Sequence, residues 1–244
     1  MNALSTSVDA ILSIQSGSGK PLAIILAGHN GSGKSTMWYR HLAPALKTPL
    51  INADRMMLSI LPALSRRGRL PPWAQDLRDT DLKWMTVARE SVDSFVVNAM
   101  QAGVPFGYET VFSHWRVLPD GRIESKIDRI RELQAAGYFV LLFFVGLANV
   151  DLSIGRVLTR YAYGGHTVPN DRLLARFPKT QHAIAQAIPV ADASILVDNS
   201  ADETKAFTVA RVQGGDNLLF DIRADGSAPR RITRWLDKVA PLGG

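Results

Sequence analysis

The most constraining feature of this 244-residue chain is an unbroken apolar run, Pro21-Leu22-Ala23-Ile24-Ile25-Leu26-Ala27, that gives way at once to Gly28-His29-Asn30-Gly31-Ser32-Gly33-Lys34-Ser35, with Thr36 next. A run without polar alternation is the pattern of a strand buried on both faces, which occurs in parallel sheets covered by helices. The eight residues after it satisfy G-x-x-x-x-G-K-[ST] at every fixed position. In such a loop the glycines let the backbone curl until successive N–H groups face phosphate oxygens, with the positive end of the next helix behind them. Lys34 then reaches the β- and γ-phosphates, and the Ser35 hydroxyl can ligate Mg²⁺. Residues 28–36 are therefore the expected nucleotide-binding loop. Ser16-Gly17-Ser18-Gly19-Lys20 resembles it locally, but no strand precedes it and Pro21 stands where the hydroxyl residue belongs, so it reads as a linker.

The rest of the chain fits the fold this loop demands. With 46% hydrophobic and 20% charged residues it has the composition of a protein that buries a core. Strands are expected over 49–54, 104–109, 138–145 and 195–198, alternating with helices over 35–46, 81–101 and 124–136. That alternation predicts an α/β, three-layer P-loop fold with a mostly parallel central sheet. A helical, arginine-rich lid should follow Asp151, and a hairpin over 206–223 and a helix over 230–239 should close the chain. The expected organisation is an N-terminal helix and linker over 1–20 and one domain over 21–244, its extension being 201–244. The run 138–145 is far shorter than the roughly 20 residues a membrane helix needs, and no signal peptide is read at the start. Cysteine is absent, which excludes disulfides, Cys-based zinc sites and thiol nucleophiles, and fits a reducing cytoplasm. The 28 Lys and Arg exceed the 22 Asp and Glu by only six, and they are dispersed, unlike the one-face basic stripe of a nucleic-acid binder.

Ligands of a parallel sheet lie beyond the carboxyl ends of its strands, where Asp54, Glu109 and Asp198 fall. Asp54, just after the P-loop helix, could accept a proton from a substrate hydroxyl held against the γ-phosphate; the plainer reading is a helix cap. Arg156 and Arg160 are four residues apart, and Arg172 and Arg176 repeat that spacing beyond Gly164-Gly165-His166, so two cationic faces flank a turn. They can close on a polyanion or be solvated helix faces. His166 and Pro169 read as shaping that turn. His114 and Trp115 can line an acceptor site or join the core, and Asp198-Asn199-Ser200 reads as a cap on the next segment.

In order along the chain, Ala27 to Thr36, Asn52-Ala53-Asp54-Arg55, Glu109 to Ser113, Gly137-Tyr138, Gly146-Leu147, Arg156 with Arg160, the turn at 164–169, Arg176-Phe177 and Asp198-Asn199-Ser200 resemble the zeta-toxin family of small-molecule kinases. The resemblance spans about residues 20–200. It implies transfer of the ATP γ-phosphate, with Mg²⁺, to the 3′ hydroxyl of a nucleotide sugar, UDP-N-acetylglucosamine, by an enzyme that a small antitoxin holds inactive. By position, Asp54 becomes the general base, Lys34, Arg160 and Arg176 the catalytic cations, Arg156 an ATP contact, and Glu109 and Thr110 acceptor contacts. His29 departs from the proline expected at its position. The basic segment 65–78, with Arg66, Arg67 and Arg69, matches no family motif, and the hairpin and last helix lie beyond the resemblance. Another metabolite or a polynucleotide end as acceptor, or an ATPase switch without acceptor, are the alternatives.

Overall fold

The computed structural model describes residues 4–65, 69–163, 165 and 168–242. Its centre is a seven-stranded sheet in which β1 (Leu22–Gly28) runs parallel between β3 (Phe106–Thr110) and β6 (Phe139–Gly146). Outside these lie β2 (Leu50–Ile51), parallel to β3, and β7 (Ala193–Asp198), parallel to β6. The hairpin of β8 (Thr208–Gly214) and β9 (Asn217–Asp221) adds antiparallel to β7 and ends the sheet, as expected from its alternation.

Every residue of β1, β6 and β7 is buried, so the unbroken apolar runs have both faces covered. The period of two divides them between two cores. Ala23, Ile25 and Ala27 face Val92 and Val96 of α6 (Leu82–Ala102), Ile130 and Leu133 of α7 (Ile127–Ala135), and Ile184 of α9 (Asn170–Ala187). Trp235 of α10 (Arg230–Val239) completes that side. Leu22, Ile24 and Leu26 face Val8 and Ile11 of α1 (Leu4–Ser18), together with Met37, Trp38 and Leu42. Helix, sheet and helix thus form the three layers.

Several local expectations change. The helix after the loop is α2 (Lys34–Met37), a π-helical turn Trp38–Leu42, and α3 (Ala43–Leu46). The Trp38 ring lies over Gly107, where a Cβ would come within 2.4 Å of it. The strand expected to reach residue 54 stops at Ile51, because the Asn52 side chain accepts the Arg55 N–H and caps α4 (Ala53–Ser59). Asp54 therefore sits in the first turn of a helix and not at a strand end. Residues 16–18, read as linker, are the last turn of α1, which Gly19 ends at φ +67°. The basic segment contains α5 (Pro72–Asp79), whose Arg78 is buried, paired with Asp79, and donates to the Gly165 carbonyl at 3.3 Å. A small hairpin of β4 (Trp115–Val117) and β5 (Ile123–Ser125) precedes α7.

Candidate functional site

The loop between β1 and α2 is held by contacts distant in sequence. Gly31 and Gly33 adopt φ +70° and +90°, a region that L side chains rarely enter. A Cβ on Gly33 would also meet Asn199 Nδ2 at 2.6 Å. That amide donates to the Ser32 carbonyl at 2.9 Å, and Ser153 Oγ donates to the Asn30 carbonyl at 2.7 Å. Ser153 belongs to α8 (Val150–Ala162) and Asn199 follows β7, so two neighbouring elements fix the peptide planes of the loop.

Lys34 is buried, and its ammonium donates to the carbonyls of Gly28 and His29 at 3.0 Å each. Burial pushes its pKa down; Glu109 and Asp54 oppose that shift and Arg160 adds to it. These three side chains therefore share one electrostatic environment with the lysine. Glu109, on the strand beside β1, is the best-anchored of them. It accepts from Asn52 Nδ2 at 2.6 Å and Ser35 Oγ at 3.1 Å, and its other oxygen lies 4.0 Å from Lys34 Nζ. The cap residue of α4, the loop serine and the strand-end carboxylate are thus joined. Asp54 is exposed in the first turn of α4, two residues after Asn52. Next to it the Arg55 guanidinium lies 4.3 Å from the Tyr39 ring centre, a cation–π contact that the sequence reading did not anticipate.

Thr110 is half-buried, and its hydroxyl accepts the Phe112 N–H at 3.2 Å, shaping a turn in which Phe112 takes φ +62°. Arg156 stands over the loop: a Cβ on Gly31 would meet the Cβ of Arg156 at 3.1 Å. Burial lowers the Arg156 pKa and Asp198 opposes that shift. Arg160 lies one turn further along α8, exposed, and its carbonyl accepts the Gly165 N–H at 2.9 Å. On α9, Arg176 is half-buried; burial, then Arg172 and Arg89, lower its pKa. Arg89, exposed on α6, is a cation near Arg176 that went unnoticed in the sequence, where it looks like any solvated helix residue.

Other expectations resolve into structure. Asp198 is fully buried and accepts from Trp235 Nε1 at 2.9 Å and Ser200 Oγ at 2.7 Å, so the 198–200 stretch caps and braces. Trp115 packs against the core with its ring edge-on to His182, and His114 pairs with Glu124. His166, Gly164, Arg66 and Arg67 lie outside the described residues. The loop residue His29 is buried with its ring stacked on Phe177 of α9, a contact invisible in the motif.

The zeta-toxin family model matches residues 8–222. The chain belongs to the zeta-toxin family. The match takes in most of α1 and the β8–β9 hairpin, so family likeness reaches past residue 200, where the motifs alone had ended it; α10 lies beyond. Among curated proteins, an uncharacterized protein of Haemophilus influenzae is 26% identical over 155 residues, 64% of this chain and 91% of that one. Among solved structures, the AvrRxo1-ORF1:AvrRxo1-ORF2 complex with sulphate ions superposes with a TM-score of 0.60 at 15% identity, over 99% of this chain and 71% of that one. The PezAT chromosomal toxin-antitoxin system of Streptococcus pneumoniae gives 0.52 at 17% identity, over 85% and 81%. At these identities the structural likeness concerns the fold. It is the fold of a zeta toxin whose strand-end carboxylate and phosphate loop meet.

Proposed function

We propose that this zeta-toxin family member is an ATP-dependent kinase that transfers the γ-phosphate to a hydroxyl of a nucleotide sugar, the 3′-OH of UDP-N-acetylglucosamine. The observation that carries the reading is the Glu109 carboxylate, held by Ser35 and Asn52 with its other oxygen 4.0 Å from the loop lysine, at the carboxyl end of the parallel sheet. Asp54, exposed in the first turn of α4, lies in the field of the same lysine and is the carboxylate this reading assigns to the acceptor hydroxyl.

The Ser35 hydroxyl and Glu109 carboxylate are hard oxygen donors in mutual contact, which suits Mg²⁺. Among the described residues no group of three or more His, Cys, Asp or Glu could hold a metal by itself. An ion entering with the nucleotide would draw its remaining ligands from phosphate and water. Bound there, it would neutralise charge on the β- and γ-phosphates. The loop N–H groups and Lys34 bind and orient the triphosphate. Asp54 takes the proton of the acceptor hydroxyl as its oxygen bonds to the γ-phosphorus, and the bond to the bridging oxygen breaks to release ADP. Arg160 and Arg176 close over the transferring group, where a planar, always-charged fork follows charge spreading across its oxygens. Arg156 flanks the phosphate loop, and Glu109 and Thr110, at the end of β3, are assigned to the acceptor side.

The solved PezAT toxin-antitoxin system supports an antitoxin partner for this chain as well, and a cytoplasmic location is part of the same proposal. The test is incubation of the full chain with Mg·ATP and UDP-N-acetylglucosamine beside an Asp54→Asn control, followed by mass spectrometry of the sugar nucleotide. A gain of one phosphoryl group that the variant loses bears out acceptor and base together. An unchanged sugar nucleotide with ATP bound refutes this acceptor.

A further inference from the structure

The His29 imidazole is 2% exposed. Its ring lies 3.8 Å from Phe177 of α9 with 10° between the planes, and edge-on to Phe144 of β6 at 5.7 Å and 74°. Stacked and edge-on ring contacts favour defined geometries beyond simple burial. Its Nε2 is buried and meets no hydrogen-bond partner among the described residues. The contacts described for the ring are with the two aromatic side chains. Burial, then the Lys34 ammonium, pushes its pKa down to about 3, so the ring stays neutral beside that cation at physiological pH.

The backbone of His29 is as engaged as its ring. Its carbonyl accepts from Lys34 Nζ at 3.0 Å and from the Ser32 N–H at 3.1 Å. On the other side of the stack, Phe177 is the chain neighbour of Arg176, and Arg176, Asn30, Thr180 and His29 line one narrow crevice. The ring therefore stands between the loop that would hold the phosphates and the helix that brings an arginine to them.

We propose that His29 is a positioning residue for phosphoryl transfer: its ring, wedged between Phe144 and Phe177, locks the phosphate loop to α9 and so sets where Arg176 meets the nucleotide. This rests on the kinase reading only in that Arg176 must act on the bound phosphates. A ring that merely fills the core would contribute stability and leave the effect of Arg176 unchanged.

The two roles separate in a double-mutant cycle read as the ATP dissociation constant of the full chain by calorimetry. In the wild-type background Arg176→Ala should weaken ATP about tenfold, the order expected for one charge-assisted phosphate contact. With His29→Ser, which keeps the backbone N–H and removes the ring, the same arginine change should cost about twofold or less. With His29→Phe, which keeps the stack, the roughly tenfold effect should return. Should His29→Ser fail to give a cooperative melt, Phe177→Leu removes the stack from the other side and takes its place in the cycle. An equal arginine effect in every background overturns the inference while leaving the kinase reading intact. No arginine effect even in the wild type overturns the placement of Arg176 on the nucleotide, and the inference with it.

Discussion

Replacing Glu109 by Gln tests the carboxylate at the centre of the site. Glutamine keeps the shape and an acceptor oxygen for Asn52 and Ser35, and removes only the charge. Two unit charges 4.0 Å apart, the Lys34–Glu109 separation, interact by about 4 kcal/mol at an effective dielectric of 20, which is an upper bound on the net effect because desolvation of the buried ammonium offsets part of it. Glu109 competes with phosphate for Lys34 and repels the incoming triphosphate. Without Mg²⁺ the variant should therefore bind ATP more tightly than the wild type, and one third of that bound, about 1.4 kcal/mol, is about tenfold. With Mg²⁺ the sign should reverse or the gain vanish, because a hard anionic ligand is lost beside the ion. Phosphoryl transfer should fall by about 100-fold or more. Calorimetric titration of ATP with Mg²⁺ and with a chelator reads both signs. Equal or weaker Mg²⁺-free binding by Glu109→Gln would refute the electrostatic account of the site.

Gly33→Ala should lose ATP binding and about 1–3 kcal/mol of stability, since its φ of +90° and the Asn199 amide 2.6 Å away both reject a methyl group; wild-type affinity in the variant would contradict this. Trp235→Phe removes the Nε1 donor to the fully buried Asp198 and should cost about 1–3 kcal/mol in urea unfolding, and a neutral result would place the strength of that brace elsewhere. Acidification should separate wild type from His29→Phe. The unfolded imidazole takes a proton below its ordinary 6.5, whereas the folded one resists to about 3, so its contribution is intact above 6.5 and is lost as pH falls toward 3. The slope is at most about 1.4 kcal/mol per pH unit, and between about pH 6 and 4 the wild type should lose stability faster than the variant by that amount. Parallel pH profiles would mean that the ring is not buried in solution.

The phosphate loop could be read from the chain because its chemistry is local: eight consecutive residues and the strand before them specify it. The parallel core was as open to reading, since strands covered on both faces must be apolar throughout. The partners that make the loop a site were not. Glu109 meets Asn52 across 57 positions and Asn199 meets Ser32 across 167, and nothing in local pattern announces such pairs. Asp54, expected at a strand end, lies instead in a helix, because Leu50-Ile51 looks extended and the capping ability of Asn52 is easily overlooked. The β4–β5 hairpin hides in strands of three residues, although Pro119-Asp120-Gly121 is a turn signal that could have revealed it. In α5, short length and flanking arginines masked a helix whose Arg78 reaches the turn after α8.

The most direct test of the central claim is phosphorus NMR of the full chain turning over Mg·ATP with UDP-N-acetylglucosamine, because it separates transfer from hydrolysis in one spectrum. A new phosphomonoester signal coupled to the sugar 3-proton, growing as ADP grows and absent for Asp54→Asn at near-normal ATP affinity, is the predicted result. ADP and inorganic phosphate at the same rate with and without the sugar nucleotide, and no new ester, would contradict it and make the chain an ATPase.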